Sequence, residues 1–362
     1  MDGEKQGKRA PQAIVAVTQS STGLFAEEVT TVKHRARQAV SAMRTIDNRL
    51  RLYSWRVNAD GAVLRTGSSS SQTSAVQQVQ LVHARNYVVA CRTNDGELHL
   101  SRWDVSNTGA IYPAGESNLC ARQVQWVEMV ALTPDQIATL ALSQTGAWQL
   151  MLWQLQGDDG LTQLEMAEIP AAPVSSCGLT VLPVAGDTAR LAMIVSETPG
   201  RLSLHLWHYQ AETGLTLVAS PSIAFPEAAA IMATAVDPDH LHVLVQTVTG
   251  QVQLLTWQLP ADGQTPFCKT VTLLREDVGH CTWQKQQDGF VLTYRTLTGE
   301  VGVQAWQTTT DGQVTLMGAG SVPTISAGEV LCCEEPLEGN APLLTGAIGQ
   351  NGEVTLLTWR TL

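Results

Sequence analysis

The sequence predicts an all-β protein, a single ring of repeated four-stranded antiparallel units. Three observations carry that expectation. Seven of the ten tryptophans recur in near-identical surroundings, 48 to 54 residues apart. Each of the seven follows a turn-forming residue by seven positions. Helical periodicity is nearly absent, and only residues 27–43 tempt such an assignment.

The recurring residues are Trp55, Trp103, Trp153, Trp207, Trp257, Trp306 and Trp359, in segments such as RLRLYSWRV, ELHLSRWDV and EVTLLTWRT. Their turn formers are Asn48, Gly96, Gly146, Gly200, Gly250, Gly299 and Gly352. Asn is the residue after Gly that best tolerates left-handed backbone, so the exception fits the rule. A second turn follows at Gly61, Gly109, Gly160, Gly214, Gly263 and Gly312, four of the six as Asp-Gly. Asp-Gly is the strongest short hairpin signal. Ahead of each hairpin lies another apolar stretch, such as 76–82, 123–130 or 178–184. Four strands per period result. Within the third strand the apolar residues change face between Leu98, Leu100 and Trp103, Val105. Such a strand is buried on both faces or contains a bulge. Stacked sheets bury both faces, whereas a sandwich leaves one wet.

The last unit stops at Leu362 and lacks an outer strand, while QAIVAVTQS (12–20) alternates like a strand with no partner upstream. Placed beside the last unit, it completes that sheet and removes an exposed edge. The expected organisation is a flexible tail, 1–11, and one domain, 12–362, whose split unit combines 12–20 with about 328–362.

This arrangement resembles a seven-bladed β-propeller over residues 12–362. The Trp closing the third strand takes the place of the WD dipeptide, yet only Trp103-Asp104 carries the Asp. The repeats also exceed the usual length of about 40–45 residues. Gly-Gly pairs, a Tyr-Trp-Thr-Asp run and a Ser-x-Asp-x-Gly-x-Thr-Trp box are missing, which sets the chain apart from kelch, YWTD and sialidase types. In repeat style it is similar to propeller lectins. The resemblance implies the fold and assigns no functional residue.

Composition narrows the function. With 44% hydrophobic and 15% charged residues, the 362-residue chain has ample material for a core and is not disordered. Net charge is −11, and Lys5–Arg9 is the sole basic cluster, so nucleic acid is not an expected partner. No apolar run approaches the length of a membrane helix. The N-terminal charges are followed by no apolar segment, so a cytoplasmic location is expected, with unconventional export left open. Cys91, Cys120, Cys177, Cys268, Cys281, Cys332 and Cys333 form no C-x-x-C pair and read as buried, reduced thiols.

The repeat tryptophans occupy packing positions. Trp126 and Trp283 differ, because they lie in first strands where the repeat does not demand Trp. First strands of a propeller line its central channel, so either ring could stack on a sugar or an aromatic ligand, or fill a gap in the core. His34, His83 and His280 also fall on first strands, at different levels, and His205 and His208 face opposite ways; neither set suits a metal. Trp126, Trp283, His83 and His280 are therefore the ligand-binding candidates. The pairs Glu27-Glu28 and Glu334-Glu335 read as solvated surface. No catalytic residue and no cofactor is indicated. Longer, small-residue loops at 67–75, 168–177, 220–230 and 319–328 belong on one face. The expected function is a non-enzymatic binding or scaffold propeller presenting that face to a protein or glycan partner, in an oligomeric state the sequence does not indicate. The alternative is a hydrolase- or lyase-type enzyme with its groups at the channel mouth. Convergence of three or more polar or ionisable side chains there would favour the enzyme.

Overall fold

A computed structural model of the protein describes residues 11–115, 118–157, 160–169, 174–183, 188–197, 200–259, 267–275, 277–309, 313–323, 327–333 and 343–361. Most of the expected tail, the turns at Gly263 and Gly312, the Glu334-Glu335 pair and parts of loops 168–177 and 319–328 lie outside the described residues. Among the described residues the regular structure is entirely β-strand. Among the described residues no helix is long and apolar enough to cross a membrane.

Each unit, named here by its tryptophan, runs antiparallel from an inner strand outward. In the Trp103 unit these strands are Val76–His83, Tyr87–Thr93, Leu98–Val105 and an outer edge broken into Ile111–Pro113 and Asn118–Ala121. The turn between second and third strands is left-handed at all the expected positions, with φ from 57° at Asn48 to 91° at Gly299. Thr45, Thr93, Ser143, Thr247 and Thr296 brace these turns, each hydroxyl accepting the N–H four residues on at 3.1–3.2 Å.

Of the two readings of the third strand, burial on both faces holds, while the bulge lies in its outer neighbour. Leu98, Leu100, Ser101, Arg102 and Trp103 are all buried, from either face. In that outer strand Thr66, Leu164, Val218 and Met317 are the extra residues opposite the bond preceding Trp55, Trp153, Trp207 and Trp306. Six of the repeat tryptophans are buried, and Trp306 is partly so. Trp55, Trp153 and Trp359 donate their indole N–H to Ser41, Thr139 and Thr345, each 14 residues earlier, at 2.9, 2.9 and 2.7 Å.

The ladders define five sheets, of eleven, five, five, four and four strands. The eleven-stranded one arises from the N-terminal strand, Gln12–Arg35, which is longer than the expected 12–20. Its first half pairs antiparallel with the last unit, Ile14 to Ser21 against Thr361 to Thr355, and its second half is the inner strand of the Trp55 unit. Gln12 and Ala13 also pair in parallel with Gly318 and Ala319 of the Trp306 unit. Gly320 permits this crossing, since a Cβ there would lie 1.8 Å from the Ile14 carbonyl oxygen.

Apolar clusters fill the space between neighbouring units rather than any single unit. One joins Trp55, Tyr53 and Met43 to Leu331, Leu344 and Leu356 of the Trp359 unit. Hydrogen bonds repeat at these junctions. The inner-strand N–H of Val76, Val124 and Val278 reaches the turn carbonyl of Asn48, Gly96 and Gly250 in the preceding unit, at 2.9, 2.8 and 3.3 Å, and Ala26 reaches Gly352 in the same way at 2.8 Å. Farther out, Ser54 Oγ donates to the Gly109 carbonyl at 2.6 Å, and Thr358 Oγ1 to that of Gly61 at 3.0 Å.

Candidate functional site

The inner strands wall a cavity of about 760 Å³. Each carries a bulge at its second residue: Glu27, Gln77, Gln125, Ser175, Ala229, Gly279 and Gly328 are skipped by the neighbouring strand. A bulge re-aims the side chain that follows it. Those next residues are Glu28, Gln78, Trp126, Ser176, Ala230, His280 and Glu329, and all of them line the cavity. They form a rim on the same face as the second-to-third-strand turns, because the inner strands begin beside those turns.

Three rim side chains hold the next inner strand. Glu28 Oε2 accepts the Val79 N–H at 2.9 Å. Gln78 accepts the Val127 N–H at 3.0 Å and donates to the Val127 carbonyl at 2.8 Å. His280 Nδ1 accepts the Val330 N–H at 3.3 Å. Cross-strand from Glu28, Gln78 and His280 stand Arg44, Arg92 and Arg295. Arg44 bonds Glu27 and comes within 3.7 Å of Glu28.

Burial dominates the electrostatics here. It pushes the Glu28 carboxyl up to about 7, against the Val79 N–H and Arg44, which favour the charged form. Glu329 is also raised by burial, with Arg44 and Arg295 opposing. His280 is held down to about 4, first by burial and then by Arg295, so the ring is neutral and its Nδ1 lone pair is available to Val330. Burial lowers the Arg92 guanidinium too.

The sequence candidates separate. Trp126 is 42% exposed on the rim, its Nε1 donating to Glu128 Oε1 at 3.2 Å. Trp283 is buried and tilts against Phe290 at 5.3 Å. His83 lies five residues beyond the rim position of its strand and stacks on Tyr87, with centroids 4.4 Å apart at 4°. His34 joins the same ring, its Nδ1 lying 2.6 Å from the Tyr87 hydroxyl. His280 stands on the rim, so the structure gathers His34 and His83 at one end and leaves His280 at the other.

Glu28 corrects the solvated-surface reading of Glu27-Glu28, because the bulge at Glu27 turns the next carboxyl into the cavity. Arg44, Arg92, Arg295 and Glu329 went unrecognised. The arginines did leave a signal, an Arg-Thr pair immediately before the turn at 44–45, 92–93 and 295–296. Cys91, Cys120, Cys177, Cys268 and Cys281 are free thiols, and five of the seven cysteines are buried. Among the described residues, no three His, Cys, Asp or Glu side chains are grouped to hold a metal ion.

No protein-family profile matches the sequence, and no curated protein matches it. Solved structures do match in fold. BBS1N, solved in complex with ARL6DN and soaked with lead, is 11% identical with a TM-score of 0.58, over 96% of this chain and 97% of that one. The BP39L lectin from Burkholderia pseudomallei is 14% identical with a TM-score of 0.66, over 93% of this chain and 96% of that one. Identities this low speak to architecture alone. Together with the all-strand structure, they make this chain an all-β propeller.

Proposed function

We propose that the protein is a non-enzymatic binding propeller of seven blades, forming one domain over 12–362, which presents its rim face to a glycan or protein partner. The observation that carries this reading is the use made of the convergent ionisable groups. Several do meet at the mouth with shifted protonation, which by itself favours an enzyme. Yet Glu28 Oε2 and His280 Nδ1 accept N–H groups from the backbone of the adjacent inner strand. A His lone pair occupied by a backbone N–H is not a general base. What remains presented on the rim is an aromatic ring, Trp126, and the half-buried Glu329 carboxyl, among small neighbours Ser176 and Ala230.

Seven blades rest on the shared bulge of the cavity-lining strands and on the Ala26–Gly352 contact, which repeats the junctions elsewhere. On this reading residues 12–20 supply the outer strand of the last blade and close the ring. The two structural neighbours, a lectin and a protein solved in complex with a partner, agree with a binding role. Five free thiols, Cys91, Cys120, Cys177, Cys268 and Cys281, suit a reducing compartment such as the cytoplasm.

The test is a glycan array and a pull-down from native source, each with the wild type and Trp126→Ala. Capture that depends on Trp126 supports the reading. Turnover of a captured substrate that is lost in Glu28→Gln would instead establish the enzyme.

A further inference from the structure

We propose that the channel mouth is a site for an acidic sugar, its ring stacked on Trp126 and its carboxylate paired with the guanidinium of Arg92. This rests on the binding reading above and names the ligand class.

Trp126 is the exposed tryptophan among the described residues, and its indole is anchored by the bond to Glu128. A fixed aromatic face on a concave rim is what the C–H face of a pyranose packs against. The cavity volume, about 760 Å³, lies within the range of small-ligand sites. Neutral stacking alone would suit any sugar. Arg92 adds the selectivity.

Arg92 lines the same cavity, yet makes no hydrogen bond and no ion pair within 4 Å among the described residues. Its Nε is buried without a partner. The rest of this half-buried guanidinium keeps access to the cavity, and its planar fork matches a carboxylate through two parallel N–H bonds. Glu28, the nearest acid by charge, is committed to Val79 and Arg44. A ligand carboxylate would therefore complete Arg92 rather than displace an existing pair.

The strands that carry the two halves of the site are tied together. Arg92 stands cross-strand from Gln78, and the Gln78 amide bonds both backbone groups of Val127, next to Trp126. One side chain thus ties the strands that carry the cation to the strand that carries the ring.

The experiment titrates glucuronate and glucose by calorimetry and saturation-transfer NMR against wild type, Arg92→Gln, Arg92→Lys and Trp126→Ala. Melting temperatures are compared to confirm that each variant is folded. Glucuronate should bind at least ten times more tightly than glucose, and Arg92→Gln should remove that preference. Arg92→Lys should retain part of it, and serves alone if Arg92→Gln does not fold. Trp126→Ala should weaken both sugars. Equal affinity for the two sugars, or glucuronate binding indifferent to both Arg92 variants, overturns the proposal while leaving a neutral-sugar lectin intact. No binding of either sugar, with a protein partner still captured through Trp126, overturns it while leaving the binding propeller intact.

Discussion

Removal of residues 1–22 tests the proposed ring closure, because it strips the strand paired from Ile14 to Ser21 with the last unit. The ladder hydrogen bonds and the entropy of ordering that strand cancel to first order. What is left is burial and clamping. Ile14 is buried, which is worth about 2 kcal/mol. Thr18 Oγ1 donates to the Gly61 carbonyl at 2.8 Å and Thr22 Oγ1 to that of Val354 at 2.6 Å, each worth about 1 kcal/mol. The sum, about 4 kcal/mol, corresponds to a fall in Tm of roughly 8 °C at about 2 °C per kcal/mol for a large domain. The bared edge of Glu353–Thr361 should also promote association. Gly320→Val offers a point test of the same contact, since its side chain must collide with the Ile14 carbonyl. Differential scanning calorimetry and size exclusion read both effects. Deletion of residues 1–10 alone should move Tm by no more than about 1 °C. Equal melting temperatures for the two truncations, together with an unaltered Gly320→Val, would refute closure and with it the count of seven blades.

Stability should also depend on pH in two opposed ways. Folding raises Glu28 from 4.5 to about 7, so the folded state binds the extra proton and stability falls as pH rises through that window, by up to about 3 kcal/mol. Glu28→Gln should therefore melt higher than wild type at pH 8 and nearly with it at pH 4.5. His280 and His242 are lowered to about 4, so their contribution is lost as pH falls from 6.5 towards 4; the wild type should be most stable near pH 6.5, and His242→Gln should flatten the acid limb seen by urea titration. Trp257 has no partner for its buried indole N–H, and Val243 stands 14 residues earlier, where Ser41, Thr139 and Thr345 serve other units. Val243→Thr should gain up to about 1 kcal/mol, and a destabilised variant would show that this hydroxyl is not what satisfies the indole. Gly352→Ala forces a side chain to φ 82° with its Cβ 3.0 Å from Ile46, and should cost about 1–2 kcal/mol by chemical denaturation.

The fold was readable because its repeated parts are backbone requirements. A left-handed turn accepts Gly or Asn, and those residues stand at 48, 96, 146, 200, 250, 299 and 352. A ring wedged between sheets calls for a large apolar side chain, and Trp recurs there. The inner-strand bulge is as regular as either, yet it left no trace in composition. Its extra residue is Glu27, Gln77, Gln125, Ser175, Ala229, Gly279 or Gly328, because the conformation excludes almost no side chain. Simple alternation therefore put Glu28 on the wrong face. The continuity of Gln12–Arg35 beyond the expected 12–20 was hidden for a related reason: the left-handed Gly23, at φ 65°, is absorbed inside one long strand.

That hidden bulge organises the candidate site. It delivers one side chain per inner strand to the rim, and each faces the same choice. Glu28, Gln78 and His280 reach the backbone of the next strand and act as staples. Their buried ionisable members pay through shifted protonation, visible as a raised carboxyl and a depressed imidazole. Ser176 and Ala230 are too short to fill the mouth, and Trp126 is too bulky to staple, so its ring stays in solvent. Arg92 stands behind a staple that Gln78 makes without using charge, which is why its guanidinium is left uncompensated while Arg44 is paired. Replacing Gln78 by Glu would place a carboxylate beside Arg92 and break the amide's donation to Val127. It should abolish acidic-sugar binding without touching either contact residue, and retained glucuronate affinity in Gln78→Glu would show that Arg92 is not the anion partner.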